Sequence, residues 1–285
     1  MKKTSLIFLL LSLLPLSGVA VEPPPLSSNS KPHIALIIDD IGDNLRLGRR
    51  AISLPGNVTC AFLPHTSYAR QLAKSAHQRN KEVMLHLPME SEEGKAPGPG
   101  ALTLDMTRSE FIHTVESDLE SIPYAAGVNN HMGSLITQHP GDMRWLMQVI
   151  RRHGNLFFVD SRTTEFTVAQ QVAQEIGVPN LRRDIFLDND QHPEAIAAQF
   201  ARLIALAKRR GSAVAIGHPH AATLRFLEER LPQLGAEGVV LVSASDLIQF
   251  KQHPETIYAV RPLLMGAIKA DITPEAARRP GVVTP

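Results

Sequence analysis

Short, continuously apolar segments separated by helical patterns constrain the fold of this chain more than any other feature. A run without polar alternation is typical of a strand buried on both faces, as in parallel sheets covered by helices. The repeated units predict an α/β fold with about seven parallel strands, closed or nearly closed into a barrel. A doubly wound open sheet is the alternative. The runs are Ile34–Ile38, Val58–Phe62, Val83–Leu87, Leu156–Val159, Ala213–Ile216 and Val239–Val242, with weaker ones at Ala125–Val128 and Ile185–Leu187.

Three of the helical patterns carry signals for their own ends. Thr107 and Glu110 form a capping box before an apolar face. Asp142 opens a second predicted helix, which Gly154 ends. Pro193 suits the first turn of a third helix, which is long and ends in a run of cations.

The N-terminal residues predict export. Lys2 and Lys3 precede the apolar run Leu6–Leu16, and small residues follow it. The run is too short to cross about 30 Å of hydrocarbon, so residues 1–20 are predicted to form a secretory signal peptide. An uncleaved N-terminal anchor is the alternative. The protein is therefore predicted to reach the periplasm, and no later stretch is long enough to span a bilayer.

Composition divides the remaining chain into three parts. Residues 21–32 are rich in Pro and Ser and predict a linker, residues 33–250 predict one barrel domain, and residues 251–285 predict a weakly structured tail. Cys60 is the sole cysteine and lies in an apolar run, which predicts a buried side chain and a fold without an internal disulfide. The formal net charge of +1 gives no reason to expect a nucleic-acid partner.

Two adjacent carboxylates, Asp39 and Asp40, directly follow the first apolar run. At a buried strand end they would repel each other and lose hydration, and a bound divalent cation would relieve both costs. Adjacent side chains of an extended strand point in opposite directions, so one carboxylate is predicted to bind metal while the other reaches a water. A solvated loop or a helix N-cap is the alternative.

Histidines lie at or just after the ends of other apolar runs. His86 lies in the third run along the chain, and His131 follows a shorter run in an Asn- and Gly-rich segment. The alternatives are a hydrogen-bonded polar side chain for His86 and a simple turn around His131. His218 is a candidate general acid because imidazole titrates near neutral pH. His220 is interpreted as the start of the next helix.

Further polar side chains follow the same strand ends. Glu90 comes four residues after His86, although Pro88 argues against a regular helix there. Asp160 directly follows a buried run, where it could orient a histidine or hold a base. Arg162 could bind an anionic substrate or form a structural ion pair with Asp160.

The carboxyl ends of parallel strands lie on one face of an α/β fold and surround one pocket, so these side chains are predicted to meet. One Asp with two His is a normal ligand set for a catalytic zinc that leaves a position open for water. The sequence lacks a Cys-rich zinc pattern, a nucleophile elbow, a P-loop and a dinucleotide fingerprint. Asp184 and Asp188 are interpreted as structural.

Taken in order, five segments at these strand ends resemble the motif series of the divergent polysaccharide deacetylases, over about residues 33–250. The resemblance implies a distorted (β/α) barrel and the removal of N- or O-acetyl groups from a carbohydrate. The segments are Ile37–Gly42, His86–Glu90, Asn129–Ser134, Phe158–Arg162 and Ile216–Pro219.

The resemblance also implies catalytic roles. In standard deacetylases the first Asp of the pair acts as the base and the second binds the metal. This implies that Asp39 is the base and that Asp40 is a metal ligand. The late-strand catalytic histidine of the family corresponds to His218.

The other metal ligands of standard deacetylases are two histidines four residues apart. The first corresponds to His86, but Glu90 occupies the position of the second. We expect His131, from the next strand end, to supply the missing imidazole. Glu90 is the alternative ligand.

The resulting hypothesis is a metal-dependent hydrolase that removes acetyl groups from a polysaccharide of the cell envelope, with zinc as the cation. Glu90, Asn130, Asp160 and Arg162 are predicted to contact the substrate or to support the ligands. The alternative is a non-catalytic periplasmic module that keeps the fold and binds glycan or a protein partner. A third possibility is a metallohydrolase that acts on a non-carbohydrate amide.

Overall fold

The computed structural model describes residues 31–252. The predicted signal peptide, all but residues 31–32 of the predicted linker and all but residues 251–252 of the predicted tail lie outside this part of the chain. Within it, no helix is both long and apolar enough to cross a membrane.

Nine strands form one sheet, and every pairing between them is parallel. The expectation of about seven strands was too low. The strand at 180–182 was missed because its Asn-Leu-Arg sequence has no apolar run. The strands are β1 (His33–Ile41), β2 (Thr59–Phe62), β3 (Glu82–Met89), β4 (Ala125–Met132), β5 (Phe157–Asp160), β6 (Asn180–Arg182), β7 (Ile185–Phe186), β8 (Ser212–Gly217) and β9 (Val240–Val242).

Eight α-helices in the described part of the chain alternate with these strands. They are α1 (Leu45–Ile52), α2 (Ala69–Gln78), α3 (Arg108–Ser121), α4 (Pro140–His153), α5 (Ala169–Ile176), α6 (Pro193–Arg210), α7 (Ala221–Arg230) and α8 (Ala244–Gln252). Two 3-10 helices lie at Ile136–Gln138 and Leu231–Glu237.

The predicted helix signals are confirmed with one correction. Thr107 and Glu110 form a complete capping box at the start of α3. Pro193 occupies the first turn of α6. Helix α4 begins at Pro140 instead of Asp142, because proline is preorganised for the first helical position, and Gly154 caps its C-terminus as predicted.

The sheet curls into an incompletely closed barrel, which confirms the predicted fold class. The strand order is β6-β5-β4-β3-β2-β1-β8-β7, with β9 paired to β1. The two ends of this order, β6 and β7, are consecutive in the chain and are linked by Arg183 and Asp184. The Arg183 N–H donates to the Asp160 carbonyl on β5, and the Asp184 N–H donates to the Val214 carbonyl on β8. The linking residues therefore bridge the two edges of the sheet.

Alternation along the strands separates two apolar layers. Along β1, Ile34, Leu36 and Ile38 pack in the large cluster under the helices, while Ala35 and Ile37 belong to a smaller cluster inside the barrel. This is the period of two that a strand imposes on its side chains. Cys60 on β2 is buried in the outer cluster, as predicted.

Helix α8 covers the end of the barrel where the strands begin. Its Leu247 and Phe250 belong to the interior cluster. Glu82, the first residue of β3, accepts hydrogen bonds from the backbone N–H groups of Ala244 and Ser245, the orphan donors of the first turn of α8. With this end covered, the opposite end carries the polar residues.

Candidate functional site

Polar side chains continue the inward-facing series at or just after the ends of three strands. The inward series on β1 runs Ala35, Ile37 and then Asp39. By the same period of two, Met84 on β3 is followed by His86, and Ile216 on β8 by His218. The sheet itself therefore places one carboxylate and two imidazoles at the carboxyl end of the barrel.

Asp40 departs from the predicted extended strand, and the expectation that the two aspartates point in opposite directions was wrong. Asp40 has φ 54°, and the register between β1 and β2 shifts between Ile38 and Ile41. Such a bulge turns a side chain away from its normal alternation. Both carboxylates consequently face His86: its Nε2 lies 3.1 Å from Asp40 Oδ1 and 3.7 Å from Asp39 Oδ2.

Asp40, His86 and His131 converge at one point. Asp40 Oδ1 lies 3.1 Å from His86 Nε2 and 3.0 Å from His131 Nδ1, and the two nitrogens are 3.1 Å apart. One potential ligand atom from each residue lies within 4.8 Å of the others. The geometry therefore brings together the three residues expected to hold the metal. His131 supplies the second imidazole, as expected from the presence of Glu90 at the position of the family's second histidine.

Asn129 determines which nitrogen of His86 faces this point. Its Nδ2 donates to both carboxylate oxygens of Asp39, at 2.9 and 3.1 Å. Its Oδ1 therefore faces His86 Nδ1 at 2.9 Å, and this nitrogen must carry the hydrogen. In neutral His86 the unprotonated Nε2 then points at Asp40 Oδ1, so two acceptors face each other.

A divalent cation fits this arrangement. Asp40 Oδ1 is buried and has no well-oriented hydrogen-bond donor in the described part of the chain. Burial alone would raise the pKa of Asp40, but its contacts with His131 and His86 hold the pKa well below its usual range. A carboxylate oxygen and two imidazole nitrogens form a donor set suited to zinc.

Asp39 is the second carboxylate of the site and is almost fully buried. Burial raises its pKa above the ordinary value, against the opposing influence of His86 and His218. A carboxylate with a raised pKa that is held by Asn129 is suited to accept a proton.

His218 faces the cluster from β8 and forms a dyad with Asp188. Its Nδ1 lies 2.9 Å from Asp188 Oδ1, and its backbone N–H donates to Asp188 Oδ2 at 2.7 Å. Thr223 donates a third hydrogen bond to this carboxylate. His218 Nε2 points toward Asp40 Oδ2 at 3.9 Å. Burial alone would lower the pKa of His218, but the hydrogen bond to Asp188 and the charges of Asp39 and Asp40 raise it to about 9.

Asp188, interpreted from the sequence as structural, is thus the hydrogen-bonding partner of His218. Asp188 follows the short strand β7, and no motif in the sequence links it to His218, so only the pairing of β7 with β8 reveals the dyad. Asp184 accepts from the backbone N–H of Val214 and lies 3.6 Å from Arg210. His220 is the N-cap of α7, as expected.

Asn129 is the other residue that the sequence analysis did not select. Its neighbour Asn130 was chosen, but Asn130 Oδ1 accepts from the backbone N–H of Ser161 and its Nδ2 donates to the Met132 carbonyl. Asn130 thus ties β4 to the loop after β5. The two adjacent amides, Asn129 and Asn130, pointed to a polar site. Only the alternation of side chains along the strand could have shown which of the two faces the cluster.

Glu90 is not brought into the cluster. Its carboxylate accepts a hydrogen bond from the Leu104 N–H at 2.9 Å, and its backbone carbonyl accepts from Leu135 and Ile136. In the described residues it belongs to neither group of side chains able to hold a metal. Glu90 therefore fixes the loop after β3.

Asp160 is the last residue of β5, and Arg162 lies on the loop that follows it, beside the cluster. The buried carboxylate of Asp160 accepts from the Arg162 N–H and from the Thr167 hydroxyl, both within about 3 Å. Burial raises the pKa of Asp160. Asp160 thus holds the loop, and Arg162 lines an open groove of about 580 Å³ that also includes Met132 and Phe186.

Comparison with known proteins agrees with this geometry. The family model described as divergent polysaccharide deacetylase matches residues 36–248. The chain is 38% identical over 219 residues to the uncharacterized protein YibQ of Escherichia coli K12, covering 77% of this chain and 68% of that protein. It is 34% identical over 220 residues to an uncharacterized protein of Haemophilus influenzae, covering 77% of this chain and 78% of that one.

Two solved structures share the fold. The uncharacterized protein ATU2773 of Agrobacterium tumefaciens C58 superposes with a TM-score of 0.73 at 22% identity, covering 78% of this chain and 92% of that one. The peptidoglycan deacetylase PdaC of Bacillus subtilis superposes with a TM-score of 0.50 at 13% identity, covering 81% and 97%. The sequence motifs, the barrel and the match over residues 36–248 agree, and the chain belongs to the divergent polysaccharide deacetylase family.

Proposed function

We propose that this protein is a metal-dependent hydrolase that removes acetyl groups from a glycan of the cell envelope. The observation that carries the proposal is the convergence of Asp40 Oδ1, His86 Nε2 and His131 Nδ1, each 3.0 to 3.1 Å from the next. With His86 neutral and its proton on Nδ1, Nε2 and Asp40 Oδ1 face each other as two acceptors. A cation satisfies all three.

Asp40, His86 and His131 would hold the cation, and their donor set favours zinc. When bound, a divalent cation polarises an acetyl carbonyl and lowers the pKa of a coordinated water. Asn129 keeps the Nε2 of His86 available, because its own amide is committed to Asp39. In the metal-free protein, burial would lower the pKa of His86, but Asp39 and Asp40 raise it. A proton therefore competes with the metal, and metal affinity should increase with pH.

Asp39 is the proposed base. It is buried next to the cluster, it makes no ion pair with Lys or Arg in the described residues, and its raised pKa brings its basicity closer to neutral pH. Two hydrogen bonds from Asn129 fix the orientation of its carboxylate. In this position Asp39 would take the proton of the attacking water.

His218 is the proposed acid. With its pKa raised to about 9 it is protonated at neutral pH, and Asp188 fixes the ring through Nδ1. The Nε2 proton would pass to the departing amine or alkoxide when the acetyl bond breaks. The proposed roles require Asp39 to be ionised and His218 to be protonated at the same pH.

The envelope location and the glycan substrate are further parts of the proposal. The family resemblance supports a carbohydrate, and the predicted signal peptide at residues 1–20 supports the periplasm. Catalysis distinguishes this proposal from a non-catalytic binding module that keeps the fold, with or without the metal.

Acetate release by the purified protein tests the proposal. We expect release from N-acetylated and O-acetylated oligosaccharides in the presence of zinc and none after chelation. Asp39→Asn should lower the rate by about 100-fold or more, because it removes the base and leaves the volume unchanged. The control is Asp246→Asn, an exposed aspartate on α8 at the other end of the barrel, which should leave the rate unchanged. Glycan binding without acetate release across the panel would contradict the proposal and support the binding module.

A further inference from the structure

A band of positive charge lies beside the proposed catalytic site. Six arginines line the groove next to the cluster and the depression of about 420 Å³ that continues it, against two carboxylates, Glu93 and Asp184. We name this surface the arginine groove. Its arginines are Arg162, Arg182, Arg183, Arg202, Arg209 and Arg210. The formal net charge of the whole chain is only +1, so the charge is concentrated at this place.

Among these six guanidinium groups, only that of Arg210 lies within ion-pair distance of a carboxylate in residues 31–252. In residues 31–252, neither Arg162 nor Arg202 lies within ion-pair distance of an acid, and Arg202 donates only to Gln199. Asp184 lies within ion-pair distance of Arg210 alone. Arg162 and Arg202 both line the two connected depressions. Arg162 and Arg202 therefore place two unpaired charges where the two depressions meet.

The backbone holds Arg162 in place. Arg162 has φ 49°, a conformation that is uncommon for residues other than glycine. Asp160 Oδ1 accepts from its N–H at 2.9 Å, and Arg183 Nη2 donates to its carbonyl at 2.7 Å. Arg183 also donates to the Ser161 carbonyl. The guanidinium of Arg183 is therefore used to build the loop, whereas that of Arg162 is left for a ligand.

The groove lies next to the proposed catalytic residues, and two of its lining residues are their neighbours. Met132 in its wall directly follows His131. The ring of Phe186, also in the wall, lies 5.1 Å from the ring of His218 and 4.9 Å from the Arg183 guanidinium. An extended molecule in the groove would thus have one end at the cluster and its next unit beside the arginines.

We propose that the substrate glycan is anionic, and that a carboxylate or phosphate on a sugar near the acetylated one binds Arg162 and Arg202. This inference rests on the proposed function for the acetylated sugar. Guanidinium groups bind carboxylate and phosphate through paired, charge-assisted hydrogen bonds, which hold the neighbouring acetyl group in a fixed position.

Equilibrium binding of matched oligosaccharides tests the inference. The probes are a hexamer of N-acetylglucosamine, a hexasaccharide in which N-acetylglucosamine alternates with glucuronic acid, and a phosphorylated N-acetylglucosamine hexamer. Binding is measured by calorimetry with zinc present, in an Asp39→Asn background that prevents turnover. We expect at least one acidic probe to bind about tenfold more tightly than the neutral one at low salt, with a smaller advantage at high salt. The acidic probe that binds more tightly shows whether the protein recognises a carboxylate or a phosphate.

Substitutions test whether Arg162 and Arg202 cause the preference for acidic probes. Arg162→Gln with Arg202→Gln should remove the preference for the acidic probe, and the corresponding double Lys variant should recover part of it because it restores the charge. The matched control is Arg79→Gln with Arg225→Gln, two exposed arginines outside the groove. It makes the same change in net charge and should keep the preference.

Three outcomes would overturn the inference. The first is equal affinity for the neutral and both acidic probes, and the second is an unchanged preference in the Arg162 and Arg202 variant. The third is binding of anionic phospholipid vesicles that depends on these arginines, without binding of the acidic sugars. Acetate release is scored separately. A protein that prefers acidic probes but releases no acetate contradicts the proposed function alone, and one that releases acetate without any acidic preference contradicts this inference alone.

Discussion

Asn129 links the two halves of the proposed site with a single amide. It donates to the carboxylate of Asp39 and accepts from Nδ1 of His86, so it orients the proposed base and sets the tautomer of a proposed ligand. Partners that hold a metal-bound histidine are commonly as important for affinity as the ligands themselves. The amide therefore couples metal binding to base position.

Replacing Asn129 should weaken metal binding. In Asn129→Ser the tautomer of His86 is no longer imposed, and we expect zinc affinity to fall about 10- to 100-fold. Competition with a chromophoric chelator measures the affinity. Asn155→Ser, in an exposed loop, is the control and should match the unaltered protein. An unchanged affinity in Asn129→Ser would show that the network does not position His86.

Asp188 should control the proton on His218. In Asp188→Asn the negative charge is lost, so the imidazolium loses its main stabilising partner. We expect the pKa of His218 to fall from about 9 by roughly one unit or more, measured by NMR titration of the imidazole in the metal-free protein. His218 should therefore lose its proton at a lower pH, and the upper pH limit of activity should shift to lower pH as well. The exposed His192, paired with Asp190, supplies an internal reference signal that should not move. A constant pKa for His218 would contradict the dyad.

At the scale of elements, helix α3 carries a buried carboxylate against the loop after β3. Asp118 is fully buried, its Oδ1 lies 2.8 Å from His65 Nε2, and its Oδ2 has no hydrogen-bond partner in the described residues. A Cβ on Gly100, which has φ 76°, would lie 2.2 Å from Asp118 Oδ1. Only glycine fits there, and the loop seals the carboxylate.

Asp118 should make the stability of the fold depend on pH. Burial raises its pKa to about 8, from an ordinary value of 3.8 for an aspartate. Between these values the folded protein holds a proton that the unfolded chain loses, so the free energy of unfolding falls as pH rises. The amide of Asp118→Asn does not titrate, so this decrease in the free energy of unfolding is absent from the variant. In urea unfolding from about pH 6.5 to 8, the free energy of unfolding of the variant should rise relative to that of the original protein by up to about 1.4 kcal/mol per pH unit. Parallel pH profiles for the two proteins would contradict the shift.

The elements differ in how far their sequence predicts them. The apolar runs predicted eight of the nine strands, because buried parallel strands have a distinct pattern. Strand β6 is three residues long and has only Leu181 buried, so it leaves no such pattern. The capping box at Thr107 and the first-turn proline at Pro193 predicted helix starts because these signals are local.

At the scale of the whole molecule, parallel strands explain why distant residues meet. Asp40, His86 and His131 come from β1, β3 and β4, and the sequence predicted their meeting because carboxyl ends of parallel strands share one face. Details that depend on packing were not predictable. The bulge that turns Asp40 and the dyad of His218 with Asp188 arise from backbone geometry and from strand order, which no local pattern encodes.

The barrel also places stabilising contacts at one end and the proposed catalytic residues at the other. Glu82 and α8 close the end where the strands begin, while the proposed catalytic residues lie at the other. The arginine groove continues from that end along the loop after β5 and helix α6. Substrate binding, proton transfer and metal binding are therefore proposed for one face of the molecule.

The metal content of the purified protein tests the central claim most directly. After dialysis against zinc and removal of the excess, elemental analysis should give about one zinc per chain for the original protein and much less for Asp40→Asn, His86→Ala and His131→Ala, with circular dichroism showing that each variant is folded. His192→Ala, an exposed histidine, should retain the metal. Zinc retained in full by folded His131→Ala and Asp40→Asn would contradict the account.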